Sequence, residues 1–314
     1  MPTLICGSLA FDTITTFDGR FAEHILPDKV HILNISFLVP TMRREFGGCA
    51  GNIAYSLALL GGEPIILGAL GADGQSYLDR LDALHIPRTH IGLLPDSFTA
   101  QAHIITDRDN NQITSFHPGA MGRAHELPVP LDAGIKLAII APDGRSAMID
   151  HAAELATANI PFIFDPGQGM PLFDGADLRD FIAKASWVTV NDYEAELLVE
   201  RTGWNLEHIA TQVQGLVVTR GEMGCRIWSE GAAAVDIPGV PAREVCDPTG
   251  CGDAFRAGLL FGLSRRWTLA DCCRLGNVLG AEKIAVHGPQ NHHLTLDSAL
   301  HRMREVYGTA PQAA

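Results

Sequence analysis

The segment Asp247-Pro248-Thr249-Gly250-Cys251-Gly252-Asp253 sets two glycines around one small residue and closes on a carboxylate, ahead of an apolar run at helical spacing. Glycine lets the chain turn tightly and brings bare N–H groups close to a ligand. A helix that starts here points its free N–H groups and the positive end of its dipole at one spot. That spot suits a phosphate or a developing oxyanion, which makes Gly250, Cys251 and Gly252 a candidate anion hole. Asp253 would repel a resting phosphate, so it is better suited to take a proton from a hydroxyl attacking that phosphate. The competing reading is an ordinary strand-to-helix turn with an acid in its first turn, and Gly-x-Gly-Asp alone does not decide between them.

Three further clusters carry chemistry. Gly47-Gly48-Cys49-Ala50-Gly51-Asn52 precedes an amphipathic stretch with Ile53, Leu57 and Leu60 on one face and Gly61-Gly62 as its stop. Gly47 and Gly48 allow close backbone approach, and the Asn52 amide both donates and accepts, which suits a hydroxyl. Asp12, following a strand that ends at Gly7, offers a carboxylate that can accept two hydroxyl hydrogen bonds from a vicinal diol; otherwise it is a solvated loop acid. Asn191-Asp192-Tyr193-Glu194 follows an apolar strand. By itself it is a weak signal, since an Asn cap with an acid at the third helical position is also ordinary capping.

These residues need a frame. Short apolar strands at 4–6, 65–67, 136–140, 162–164, 188–190 and 216–218 alternate with helical patterns at 75–84, 145–157 and from about 192. Such alternation predicts an α/β fold, a mostly parallel sheet covered on both faces, with ligands at the carboxyl ends of its strands. Residues 30–39 are β-rich, and 101–106 with 112–116 read as a hairpin about the polar turn Asp107–Asn111. Segments of about 13–45 and 97–118 are therefore assigned outside the main sheet, within a single domain spanning 1–314.

With 314 residues, 46% of them hydrophobic, the chain can bury one large core. A formal charge of −13 argues against a nucleic-acid partner. It does not forbid an anionic ligand, because backbone dipoles hold phosphate in acidic proteins. The seven cysteines form no C-x-x-C pair, so reduced thiols in a cytoplasm are expected. No apolar run is long enough for a membrane span. Gly68-x-x-Gly71-x-x-Gly74 lacks the G-x-G-x-x-G spacing of a dinucleotide fold, which weighs against a dehydrogenase.

Taken in order, the motifs resemble those of the ribokinase (PfkB) family of small-molecule kinases, over nearly the whole chain from Gly7 to about Gln290. Residues 247–253 resemble its signature D-T-x-G-A-G-D, with Pro248 and Cys251 departing from the common wording. Residues 47–54 resemble G-G-x-x-x-N-x-A, residues 191–194 resemble N-x-x-E, and Thr219-Arg220-Gly221-Glu222-Met223-Gly224 resembles T-x-G-x-x-G. The resemblance implies a ribokinase-like three-layer α/β/α sandwich with a small β-sheet lid, and phosphoryl transfer from ATP.

It implies Asp253 as base, with Asp12, Gly47, Gly48 and Asn52 on the acceptor's sugar. It implies Asn191, Thr219, Gly221, Gly224 and Asn277 at the nucleotide, with Glu194 on Mg²⁺ through water. Near Gly288-Pro289 it brings a K⁺ site, with Asp247 as its candidate ligand.

The acceptor is expected to be a nucleoside of the adenosine or inosine/guanosine type, with Phe116 in an apolar slot and Gln168 reading a base edge. A free sugar such as ribose or fructose is the alternative. A non-catalytic regulator would lack the base or break the hole, and neither defect is present. Lid edges can pair between subunits, which leaves a homodimer open, and Cys251 is an expected point of oxidation sensitivity.

Overall fold

A computed structural model describes residues 1–25, 34–109, 111–229 and 233–312. Its strands run β1 (Pro2–Cys6), β2 (Ala10–Thr16), β3 (Thr41–Gly47), β4 (Glu63–Gly71), β5 (Ile91–Leu94), β6 (Ala100–Thr106) and β7 (Gln112–His117) in the first half. The second half adds β8 (Leu137–Ile140), β9 (Phe162–Phe164), β10 (Trp187–Asn191), β11 (Gly215–Thr219), β12 (Cys225–Ser229) and β13 (Val235–Ile237).

Nine of them form one sheet, ordered β13-β12-β11-β10-β9-β8-β1-β4-β5. It is parallel from β11 to β5, and β12 is antiparallel to both of its neighbours. Alternation along each strand sends side chains to opposite faces. Ile5, Ile66, Ile139 and Val217 pack with Ile53, Leu57, Leu260 and Leu279 of the helices Cys49–Leu59, Cys251–Ser264 and Leu269–Lys283. Leu4, Cys6, Ile140 and Val190 pack with Met148, Phe181 and Leu198 of the helices Arg145–Thr157, Gly175–Lys184 and Asp192–Thr202. Two apolar layers thus sandwich the sheet, as the near-continuous apolar strands require. The parallel strands bring Asp165, Asn191 and Thr219 to one carboxyl edge.

The other four strands make a small sheet ordered β3-β2-β6-β7. The β6–β7 hairpin falls where the sequence predicts it. The β-rich reading of 30–39 does not hold: residues 34–39 are not a strand, and 30–33 lie outside the described residues. The strands from this region are instead β2 and β3. Asp12, expected after a strand, accordingly lies within one. Among the described residues no helix is long and apolar enough to cross a membrane, and all seven cysteines are free thiols.

Candidate active site

The helix Cys251–Ser264 begins where the sequence places it, with Gly250 as its N-cap at φ 81°. That left-handed conformation is why glycine stands there. The Cys251 N–H donates to the Pro248 carbonyl at 3.2 Å and tightens the turn, so Cys251's backbone is partly engaged. Asp253, half-buried in the first turn, accepts 2.8 Å from the Asn52 amide. Burial, with the charge of Asp165 added to it, pushes the Asp253 carboxyl up to about 6, against the opposing effect of the Asn52 bond.

Asn52 is held in turn. Its carbonyl accepts 3.1 Å from Gln290, whose amide also reaches the Tyr77 hydroxyl at 2.9 Å, and Tyr77 donates 2.7 Å to the Gly47 carbonyl. The chain Asp253–Asn52–Gln290–Tyr77–Gly47 therefore ties the Asp253 carboxylate to the glycine turn. Asn52 faces that carboxylate directly.

Gly48 adopts φ 84°, and a Cβ there would sit 2.5 Å from the Ser8 carbonyl oxygen. A Cβ on Gly47 would lie 2.5 Å from the Asp12 carboxylate, so glycine makes room for that acid. At Gly51 a Cβ would collide with the Tyr77 hydroxyl and reach the Gln290 amide. Gly51→Ala is expected to cost about 1–3 kcal/mol by overpacking and to lower kcat by displacing Asn52. Urea denaturation and steady-state kinetics check it; unchanged values for both would mean that Tyr77 yields freely.

Asp12 carries a carboxyl pushed up to about 6, first by burial and then by the charges of Asp253, Glu45 and Asp247. In the small sheet Glu45, Asp12, Ala102 and Phe116 are register partners in one row across β3, β2, β6 and β7. Register partners share a face, so Asp12 and Phe116 look the same way across a small Ala102. Two strand spacings, about 10 Å, separate them. Phe116 is exposed, and Gln168 is exposed on a 3₁₀ turn after β9, with no hydrogen bond among the described residues to the Asp12–Asn52 group.

On the other side of the Gly250 turn opens a cavity of about 780 Å³. Thr219, Gly221, Gly224 and Asn277 line it together with Cys251 and Gly252. The Asn277 amide donates to the Pro238 carbonyl at 3.0 Å, which fixes that wall. Arg220 is spent on an exposed ion pair with Asp236 at 2.8 Å.

Asn191 and Glu194 form a mutual capping box on the helix Asp192–Thr202, so ordinary helix capping is realised here. The Glu194 carboxyl is half-buried and raised, first by burial and then by Asp165. Among the described residues no three His, Cys, Asp or Glu side chains gather to hold a metal alone. A Mg²⁺ arriving on nucleotide phosphates needs only one or two carboxylates and keeps its waters, and Glu194 fits that role.

The Asp247 carboxylate accepts from the Thr249 and Gly288 N–H groups at 2.9 Å each. The expected K⁺ position beside it is not free. Lys283, fully buried, places its ammonium 2.8 Å from the Asp247 carbonyl and 3.1 Å from that of Val286. A cation would have to displace it, so the residues present do not fit K⁺.

Burial pushes the Cys251 thiol up to about 11. A raised thiol holds less thiolate near neutrality, which weighs against the expected oxidation sensitivity.

Sequence reading missed four groups: Tyr77, Lys283, Gln290 and the pair Asp165–Arg256. In that pair the guanidinium meets the carboxylate at 2.9 and 3.0 Å with both side chains buried. Of these only Arg256 carried a local signal, a charge set between Phe255 and Ala257 in an apolar helix.

The sequence profile of the pfkB family carbohydrate kinases matches residues 23–295. A nucleoside kinase from Methanocaldococcus jannaschii is 30% identical, covering 93% of this chain and 95% of that protein. The structure of a Burkholderia thailandensis nucleoside kinase in complex with inosine superposes with a TM-score of 0.88 at 53% identity, covering 99% of this chain and 100% of that one. The same enzyme in complex with ADP-inosine gives 0.86 at 55%, covering 99% and 98%.

Proposed function

Since the chain belongs to the pfkB family of carbohydrate kinases, and so transfers phosphate to a hydroxyl, we propose that its acceptor is the 5′-hydroxyl of a nucleoside, adenosine, inosine or guanosine in type. The observation that carries this is the row Asp12–Ala102–Phe116. A carboxylate that grips a ribose diol and an unpartnered aromatic ring share one face, about 10 Å apart. The residue between them is too small to block a flat base. A free sugar would need the carboxylate and leave the ring unused. The relatives that are nucleoside kinases, one of them in complex with inosine, support the same reading.

In this reading the ribose is held by Asp12, Gly47, Gly48 and Asn52, and the base lies toward Phe116 and Gln168. ATP occupies the cavity between Thr219, Gly221, Gly224 and Asn277. Asn191 borders the phosphates, and Glu194 holds Mg²⁺ through water. When bound, that ion neutralises charge between the β- and γ-phosphates.

Asp253 takes the hydroxyl proton as that oxygen bonds to the γ-phosphorus and the bond to the bridging oxygen breaks. ADP leaves, and N–H groups of the Gly250–Gly252 turn meet the charge on the transferring group. The small sheet of β3, β2, β6 and β7 acts as a lid that excludes water, which would otherwise hydrolyse ATP.

The test is ADP release with Mg²⁺·ATP against adenosine, inosine, guanosine, cytidine, ribose and fructose. Turnover with purine nucleosides and weak or absent turnover with the sugars is expected. Phe116→Ala should raise KM for nucleosides by about 10-fold, the worth of about 1.4 kcal/mol of ring contact. Turnover with sugars alone would discard the slot and keep the phosphoryl-transfer assignments.

A further inference from the structure

Lys283, the last residue of the helix Leu269–Lys283, is a fully buried ammonium. A buried ammonium costs several kcal/mol unless it is paired and hydrogen-bonded, so its place requires a reason. It donates to two carbonyl oxygens, those of Asp247 and Val286. The Asp247 carboxylate, itself pinned by Thr249 and Gly288 N–H groups, balances the charge.

The same Asp247 carbonyl is approached at 3.9 Å by the Cys251 thiol, so one backbone oxygen joins the ammonium to the first helical residue of the Gly250–Gly252 turn. Cys246 and Asp247 also donate their N–H groups to the Ile284 carbonyl at 2.8 and 3.1 Å, which fixes the lysine-bearing helix end against the start of the turn. Two carbonyls and a neighbouring carboxylate are oxygen donors of the kind that hold a monovalent cation.

We infer that Lys283 is the built-in monovalent cation of this kinase. It is a positioning residue that sets the Asp247–Cys251 turn and supplies fixed positive charge beside the anion hole, in place of K⁺. The inference rests on the proposed role of that turn in phosphoryl transfer. A tethered ammonium is always present, so turnover should not depend on the alkali cation in solution. Its removal should leave a carbonyl-lined hole that a free cation can fill.

Two measurements test this. Wild-type turnover is compared in KCl, NaCl and tetramethylammonium chloride at equal ionic strength, and unchanged kcat is expected. Lys283→Ala in tetramethylammonium chloride is expected to lose about 10²-fold in kcat, the scale of one lost transition-state contact, with KM for the acceptor unchanged. KCl or NH₄Cl should restore part of that loss.

Thermal melting without substrates gives the second readout. KCl should raise the melting temperature of Lys283→Ala above its value in tetramethylammonium chloride and leave wild type unmoved. Should the alanine variant fail to fold, Lys283→Met keeps the length of the side chain without its charge, and the wild-type cation series stands without any variant.

K⁺ stimulation of wild type, wild-type turnover by the variant without K⁺, or a defect that no small cation rescues would each overturn the inference. Absence of wild-type turnover in every salt would instead count against the phosphoryl-transfer reading, while the melting comparison would still decide the cation's place.

Discussion

Asp253→Asn is expected to lower kcat by about 10²–10⁴, the usual worth of a positioned general base, without loss of stability. Asn keeps the shape of the side chain and can still accept from Asn52, so the chain through Gln290 and Tyr77 survives. What it cannot do is hold the proton of an attacking hydroxyl.

The pH dependence follows from the same environment. With its carboxyl pushed up to about 6, Asp253 is active only when ionised, so wild-type kcat should rise with pH through about 6 and then level off. The residual rate of the variant should lack that limb.

The stability sign runs the other way. A carboxyl whose folded pKa lies above its unfolded value binds its proton more tightly in the fold. Its ionisation therefore opposes folding, from the unfolded value upward and fully above about 6. At pH 7–8 the Asn variant should melt no lower than wild type. Rate–pH profiles and thermal melts of the pair decide the matter. Near-normal turnover with the acid limb intact would assign the proton to another group, for which Asp12, also pushed up to about 6, is the neighbour to test.

Much of this site was legible because its chemistry is written in short local patterns. Gly250 and Gly48 stand where the backbone takes φ 81° and 84°, which side chains other than glycine rarely adopt, and each sits beside a residue that can exchange a proton or hydrogen bond. The parallel strands were equally legible, since burial on both faces leaves apolar runs such as Leu137–Ile140.

The small sheet was less so. β2 reads Ala-Phe-Asp-Thr-Ile-Thr-Thr, and its two partners lie about thirty residues on, in β3, and about ninety residues on, in β6. Local pattern does not report a partner that distant. For the same reason Asp12 was placed after a strand and not inside one, and the row it shares with Phe116 appears only once β2, β6 and β7 are aligned. Lys283 was hidden differently: a single lysine near a helix end ordinarily reads as a favourable surface charge, and only tertiary packing turns it inward.

The second large effect concerns the pair that no local pattern announces. Asp165 at the end of β9 and Arg256, one turn beyond Asp253, meet in two-point contact with side-chain exposures of 4% and 7%. Asp165→Ala should destabilise the fold by about 3–5 kcal/mol, because it strands a buried guanidinium. Most of that figure is the cost of the unpaired charge, not the net worth of the pair. The double replacement Asp165→Leu with Arg256→Met, which removes both charges and keeps apolar volume, should therefore recover much of the loss.

Activity should not follow stability back. Arg256 also borders the large cavity and sits 3.4 Å from the Gly252 carbonyl, so the double variant is expected to fold and to turn over poorly. Urea denaturation of the three proteins at one pH, with kcat measured on each, separates the two roles. A loss below about 1 kcal/mol for Asp165→Ala, the level of an exposed pair, would mean that water reaches the guanidinium. Full recovery of kcat in the double variant would leave Arg256 a structural residue only.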